Sequence, residues 1–388
     1  MVTLARGRAS RTEAPAALRR DPRQTVERLL SLADVKIDGD RPWDIQVHDE
    51  AFYARVLAEG ALGLGESYMD GWWDCERLDE LFRRVLLARL ETKVRPRTEL
   101  PSVVRARILN LQRRARAFRI GERHYDIGNE LFQRMLDPLM IYSCGYWADA
   151  ATLREAQEAK LDLVCRKLGL RPGMRVLDIG CGWGGTAQYA AERYGVEVVG
   201  ITVSEEQVKL AREVCRGLPV EIRLQDYREV DESFDRVLSI GMFEHVGTKN
   251  YRTYMRVVRN CLKDEGLFLL HTIGGNRSVT RTNAWTDRYI FPNSVLPSAK
   301  QIATAIEGLF VLEDWHNFGP DYDRTLMCWF ENFDAAWDVL KDQYDERFYR
   351  MWKYYLLSSA GSFRSRTSQL WQVVLSPRGV LGGHRSVR

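Results

Sequence analysis

The apolar positions of this chain change period partway along it. Between residues 25 and 90 they recur every three or four residues, in TVERLLSLADV, DEAFYARVLAEG and DELFRRVLLARL, and predict helices. GLGESYMDGWWD (63–74), between the last two, reads as a tight turn region. Pro96 and Pro101 interrupt the pattern, and a basic stretch follows, RARILNLQRRARAFR (105–119). The first ~20 residues hold no sustained apolar period and read as a mobile end.

From residue 120 the grammar differs. RVLDIG (175–180), VEVVGITV (196–203), VEIRLQDY (220–227), FDRVLSIGMF (234–243) and GLFLLHTI (266–273) read as strands. Helical patterns separate them at TAQYAAERYG (186–195), EEQVKLAREVCRG (205–217) and YRTYMRVVRNCLK (251–263). Such alternation predicts an α/β fold, a parallel sheet with helices on both faces. LMCWFENF (326–333) reads as a late strand, followed by a helical C-terminal part and a frayed tail, SPRGVLGGHRSVR. Two regions result: 1–118, a smaller, mainly helical accessory domain with a basic linker, and 119–388, the α/β domain.

Composition narrows the class. The 388 residues suffice for one large core with a smaller appended domain, and 45% hydrophobic with 28% charged is ordinary for a soluble protein. No uninterrupted apolar run is long enough to span a bilayer, and the N-terminus lacks the apolar centre of a signal peptide. A cytoplasmic location is expected. Seven scattered cysteines, odd in number and without a CxxC pair, argue against a disulfide framework and a zinc knuckle, so no metal site is expected. The net charge is only +4, yet residues 105–119 carry six arginines and no acid. That stretch is either the solvated face of a linker helix or a basic surface for anionic lipid, each cation contributing about 1 kcal/mol. No nucleic-acid motif accompanies the charge.

Two stretches carry candidate chemistry. YSCGYW (142–147) holds Cys144 among aromatic rings, as a nucleophile, a metal ligand or a small buried residue. VLDIGCGWGG (176–185) lies between a strand and a helix, where backbone N–H groups face a ligand. Gly180, Gly182 and Gly185 satisfy the dinucleotide spacing, but the second strand ends near Gly200 and Thr202, without the acid that ribose recognition requires. Asp178 before the first glycine gives instead the D-x-G-x-G form typical of S-adenosylmethionine (SAM) methyltransferases.

Beyond the loop, the chain resembles the cyclopropane-fatty-acyl-phospholipid synthase family over nearly its full length. The matching stretches include DIQVHDEAFYARVLAEGALGLGESYMDGWWD, HYDIGNELFQRMLDPLMIYSCGYW, GITVSEEQ, FDRVLSIGMFEHVG, FLLHTIG, FGPDYDRTLM and QLWQVV. The resemblance implies a Rossmann-like SAM-dependent methyltransferase fold with a mostly parallel seven-stranded sheet. It implies that a cis double bond in a phospholipid acyl chain attacks the SAM methyl, and that a cyclopropane ring closes on loss of a proton to bound bicarbonate. It also implies peripheral contact with the inner face of the membrane, and a homodimer.

Carried over residue by residue, the resemblance gives Glu244, His271 and Tyr322 as side chains around bicarbonate, with the backbone amides of Cys144 and Ile273. It gives Tyr142, Ser143, Asp178, Gly180, Cys181, Gly182, Trp183, Gly184, Gly185, Thr202, Gln207, Asp226 and Tyr227 as SAM contacts. Tyr146, Trp147 and Phe243 are candidates for an aromatic wall that stabilises a cation. By spacing alone, a Glu at a strand end is ordinarily a cap, a His after an apolar strand is ordinarily core, and a Tyr in a turn ordinarily packs. Three positions depart from the family pattern. Gly145 replaces an alanine and is expected to loosen the wall, Cys328 stands in LMCW, and Ser359 stands where some members carry cysteine. Methyl- or methylene-branched products are the alternative outcome on the same acyl chain. Small-molecule N-methylation and a silent lipid- or SAM-binding protein are the other readings.

Overall fold

The computed structural model describes residues 21–93 and 128–388. The 105–119 basic stretch and the 118/119 boundary lie outside the described residues. The N-terminal helices are α1 (Pro22–Ser31), α2 (Ala51–Glu59), α3 (Ala61–Met69) and α4 (Leu78–Leu87), with a two-residue ribbon β1 (Gln46–Val47) and β2 (Trp73–Asp74). The turn reading of 63–74 is corrected, because residues 61–69 are helical. Gly65 is there for close packing: a Cβ on it would lie 2.3 Å from the Trp285 ring.

The second region continues with α5 (Asn129–Met135), α6 (Leu153–Lys167), β3 (Arg175–Ile179), α7 (Gly185–Tyr194), β4 (Glu197–Thr202), α8 (Glu205–Val214) and β5 (Val220–Leu224). It then runs through β6 (Phe234–Ile240), α9 (Tyr251–Cys261), β7 (Leu262–Gly275), α10 (Ala284–Tyr289), α11 (Ala299–Ile306) and β8 (Val311–Asn317). Helices α12 (Pro320–Ala335), α13 (Trp337–Leu340) and α14 (Glu346–Arg364) precede β9 (Ser368–Ser376). The sheet order is β5-β4-β3-β6-β7-β9-β8. The first five strands run parallel, and β9 is antiparallel to both β7 and β8. The expected mostly parallel seven-stranded sheet is therefore present.

Two local expectations are corrected. LMCWFENF belongs to helix α12, not to a strand. Pro320 starts that helix, and Tyr322, Leu326, Trp329 and Phe333 recur at three- and four-residue spacing as its buried face. The tail after β9 is tied down, not frayed. Val380 N–H donates to Glu313 Oε1 at 2.8 Å, and the Arg388 guanidinium pairs with Asp314 at 2.6 Å.

The N-terminal helices and the C-terminal helices share one apolar core, in which Phe52, Trp73 and Phe82 meet Trp285, Trp352 and Tyr354. Polar ties cross the same seam. Arg364 of α14 reaches Asp79 of α4 at 2.5 Å and Asp323 of α12 at 2.8 Å.

Candidate active site

Two cavities open at the C-terminal ends of the parallel strands, where open α/β sheets place their ligands. The first, ≈190 Å³, is lined by Asp178 near the end of β3, by Gly180, Cys181, Gly182 and Trp183 of the loop that follows, and by Gly185 at the start of α7. Tyr142, Ser143, Thr202, Gln207, Asp226 and Tyr227 also line it. Gly184 alone among the expected SAM contacts does not. Its φ of 89° starts α7, and a Cβ there would meet Ala211 and Cys215 at 3.1 Å, so its role is the turn and helix packing.

Polar groups in this cavity are pre-set. Thr202 Oγ1 donates to Gln207 Oε1 at 2.7 Å, which leaves the Gln207 amide N–H groups as donors. Asp226 accepts from the Arg228 backbone N–H and pairs with its guanidinium, both at 2.9 Å. Asp178 is buried with Oδ2 unpartnered, and burial pushes it up to about 7, although nearby Lys160 draws it back. Gln225, Arg228 and His245 also line the cavity and were missed in the sequence, where nothing but their place beside Asp226 and Tyr227 or in FEHVG marks them.

The second cavity, ≈920 Å³, is mainly apolar. Glu244, His271, Ile273 and Tyr322 lie on its wall, with Ser359. Its far side is built by the N-terminal helices, through residues such as Val26, Phe52, Val56 and Phe82. Tyr142, Ser143, Gly241 and His245 line both cavities, so the two meet there.

Glu244 sits in a 3-10 turn (Phe243–His245) just after β6. Its Oε1 accepts the Ile273 N–H at 2.6 Å, while buried Oε2 has no partner. The Ile273 amide, expected to face a bound anion, thus binds the carboxylate beside it. Burial pushes Glu244 up to about 7, against the pull of that amide. His271 lies on β7, its Nδ1 receiving the Gln372 side-chain N–H at 3.3 Å and its buried Nε2 unpartnered. Burial first, then the charges of Lys160 and Lys167, hold its pKa well below the ordinary value. That favours the neutral ring, and the Gln372 N–H matches the tautomer with its proton on Nε2. Tyr322, in the first turn of α12, packs its ring on Phe363 at 4.6 Å.

Cys144 lines neither cavity. It is fully buried, its thiol donates to the Gly145 carbonyl at 3.1 Å, and burial raises its pKa well above the ordinary value. The small buried residue is the reading the geometry favours. Gly145 does not loosen a wall, since a Cβ on it would lie 2.8 Å from the Ala156 Cβ. Tyr146, Trp147 and Phe243 also line neither cavity. Trp147 donates to Thr325 Oγ1 at 2.9 Å, and Phe243 stacks on Tyr251 at 4.2 Å. The rings that do face the apolar cavity include Phe52, Phe82, Trp285, Phe291 and Tyr355. Among the described residues no cluster could hold a metal ion, and no helix is long and apolar enough to cross a membrane.

The sheet order and the loop after β3 define the fold of the SAM-dependent methyltransferases. The model of the mycolic acid cyclopropane synthetase family matches residues 112–373, and the chain belongs to that family. It is 57% identical over 361 residues to the cyclopropane-fatty-acyl-phospholipid synthase of Escherichia coli strain K12, across 93% of this chain and 94% of that one. The structure of mycolic acid cyclopropane synthase CmaA1 complexed with SAH and CTAB matches with a TM-score of 0.62 at 33% identity, covering 66% of this chain and 97% of that one. Coclaurine N-methyltransferase bound to N-methylheliamine and SAH matches with a TM-score of 0.67 at 25% identity, covering 81% and 98%.

Proposed function

We propose that this enzyme transfers a methylene group from SAM to the cis double bond of a phospholipid acyl chain and forms a cyclopropane ring. One observation carries the reading: the cavity behind the glycine loop, which holds Asp178, Thr202, Gln207 and Asp226, joins a larger, mainly apolar cavity lined by Glu244 and His271, each of which has an unpartnered buried polar atom. The family and the E. coli relative support the same substrate class.

In balance, the alkene carbon bonds the sulfonium methyl and the S–CH₃ bond breaks, giving S-adenosylhomocysteine. The added carbon then loses a proton as the ring closes. The residues fit a small anion with one O–H: Glu244 Oε2 accepts, and His271 Nε2–H donates. Bicarbonate, if held there by Glu244 and His271, would supply the base for the departing proton. Tyr322 lies on the same wall and closes it. The apolar lining excludes water, which would otherwise quench positive charge on the chain.

The acyl substrate implies work at a membrane surface approached from the aqueous side, and the family resemblance implies a homodimer. Labelled SAM with mono-unsaturated phospholipid vesicles, with and without bicarbonate, tests the reading. Ring protons in the product NMR spectrum, formed only with bicarbonate, are expected. A branched product or no turnover overturns it. Vesicle flotation and light scattering check the surface contact and the dimer.

A further inference from the structure

Helix α6 sends one lysine into the middle of the molecule. Lys160 is fully buried, and its Nζ donates to Ser143 Oγ at 3.0 Å. Among the described residues it has no carboxylate within ion-pair distance. Asp137 and Asp178 are close enough to favour its charge, yet burial still pushes it down to about 8. A buried ammonium whose nearest carboxylates lie beyond ion-pair distance is costly to desolvate, and a further anion nearby would offset that cost.

Ser143 shows where that anion would sit. Its hydroxyl accepts from Lys160 on one lone pair and keeps its single proton to donate, which suits an anionic ligand. The residue itself is buried and lines both cavities where they meet. Its backbone is also fixed, because the buried Gln157, one turn before Lys160, donates to the Ser143 carbonyl at 2.8 Å. Two side chains of one helix face thus hold one serine in place.

We propose that Lys160, acting through the Ser143 hydroxyl, is a positioning residue that fixes a carboxylate-type oxyanion at the junction of the two cavities. Two sources present that chemistry, the carboxylate of SAM and free bicarbonate, and the proposal rests on the function proposed above for both. The cation's field and the serine proton act together, so the two residues form one unit.

The test uses the full chain with Lys160→Met, Ser143→Ala and the double variant. Calorimetry measures binding of S-adenosylhomocysteine and of its decarboxylated analogue, and turnover is followed against bicarbonate concentration in CO₂-depleted buffer. Loss of a hydrogen bond to a charged group predicts about a tenfold or greater weakening toward one oxyanion. If SAM's carboxylate is the ligand, S-adenosylhomocysteine weakens and the analogue does not. If bicarbonate is the ligand, nucleoside binding holds and the half-saturating bicarbonate rises. In either case the double variant loses no more than the worse single one. Equal weakening toward both nucleosides, or no change in either arm, overturns the proposal. Should Lys160→Met fail to fold, Ser143→Ala carries the same test. A wild-type chain that binds the nucleosides but makes no cyclopropane refutes the function reading, while the calorimetric arm still decides this one.

Discussion

The Gln372 side-chain amide nitrogen lies 3.3 Å from Nδ1 of His271, and its N–H matches an imidazole that keeps its lone pair on Nδ1. A neutral ring that accepts at Nδ1 must donate at Nε2, the atom left unpartnered in the structure. His271 is therefore a hydrogen-bond donor and not a base. Replacing Gln372 by Glu gives Nδ1–H an acceptor and moves the lone pair to Nε2. Turnover is expected to fall by about tenfold or more, the value of a donor to a charged group, with nucleoside affinity unchanged in calorimetry.

Glu244→Gln separates binding from chemistry. The Gln carbonyl can still accept the Ile273 N–H, so the fold around β7 persists. Loss of the carboxylate acceptor from the proposed anion site is expected to cut turnover by about a hundredfold, the scale of a general acid–base contribution. Affinity for S-adenosylhomocysteine should stay within about twofold, as no part of Glu244 lines the first cavity. Parallel loss of both would remove Glu244 from the role proposed.

The same substitution tests electrostatic strain. Glu244 has a folded pKa of about 7, raised above its ordinary 4.5, so the folded state binds the extra proton between those values. Its contribution to stability is favourable below the unfolded pKa and is lost as pH rises through about 7. Glu244→Gln, which never ionises, should therefore be the more stable protein at about pH 8, by up to about 3 kcal/mol. The advantage should shrink to about 1 kcal/mol near pH 5.5. Thermal melts across pH measure it, and a pH-independent difference would refute the raised pKa.

Cys144→Ser should keep most of its activity, within about fivefold, since the thiol touches neither cavity. The cost belongs to stability, because a hydroxyl replaces an apolar atom in a fully buried site, at about 1–3 kcal/mol. Near-complete loss of turnover in a folded variant would reopen sulfur chemistry.

Val56→Trp narrows the apolar cavity from its N-terminal side. Turnover on long acyl chains should fall more than on short ones, with SAM saturation unaffected. Competition between vesicles of two chain lengths reads this directly, and equal loss on both would mean the helices near Val56 do not meet the chain.

The glycine loop was legible in the sequence because a strand–loop–helix leaves local marks, whereas Glu244, His271 and Tyr322 were marked only by the family resemblance. The strand–loop–helix around Asp178 and the strand end before Glu244 needed no tertiary information. What stayed hidden depends on partners far along the chain. Lys160 sits in a helix whose buried face looks ordinary, and only the approach of Ser143 makes it unusual. The aromatic wall was assigned to Tyr146, Trp147 and Phe243 by proximity in sequence, yet it comes from α2, α4, α10 and α14. The LMCWFENF strand failed for a different reason: eight residues rich in large apolar side chains satisfy both periods, and the deciding partners, Tyr322 and Pro320, lie just upstream.

The family match begins at residue 112, whereas Val26, Phe52 and Phe82 precede it. The far side of the apolar cavity is thus drawn from a part of the chain that the family model does not cover, although the E. coli relative, matched over 93% of this chain, extends into it. Heritable change can reshape what fits into the cavity without touching Glu244, His271 or the glycine loop. Substitutions in the helices before residue 93 therefore reach the shape of the cavity from the side opposite the glycine loop.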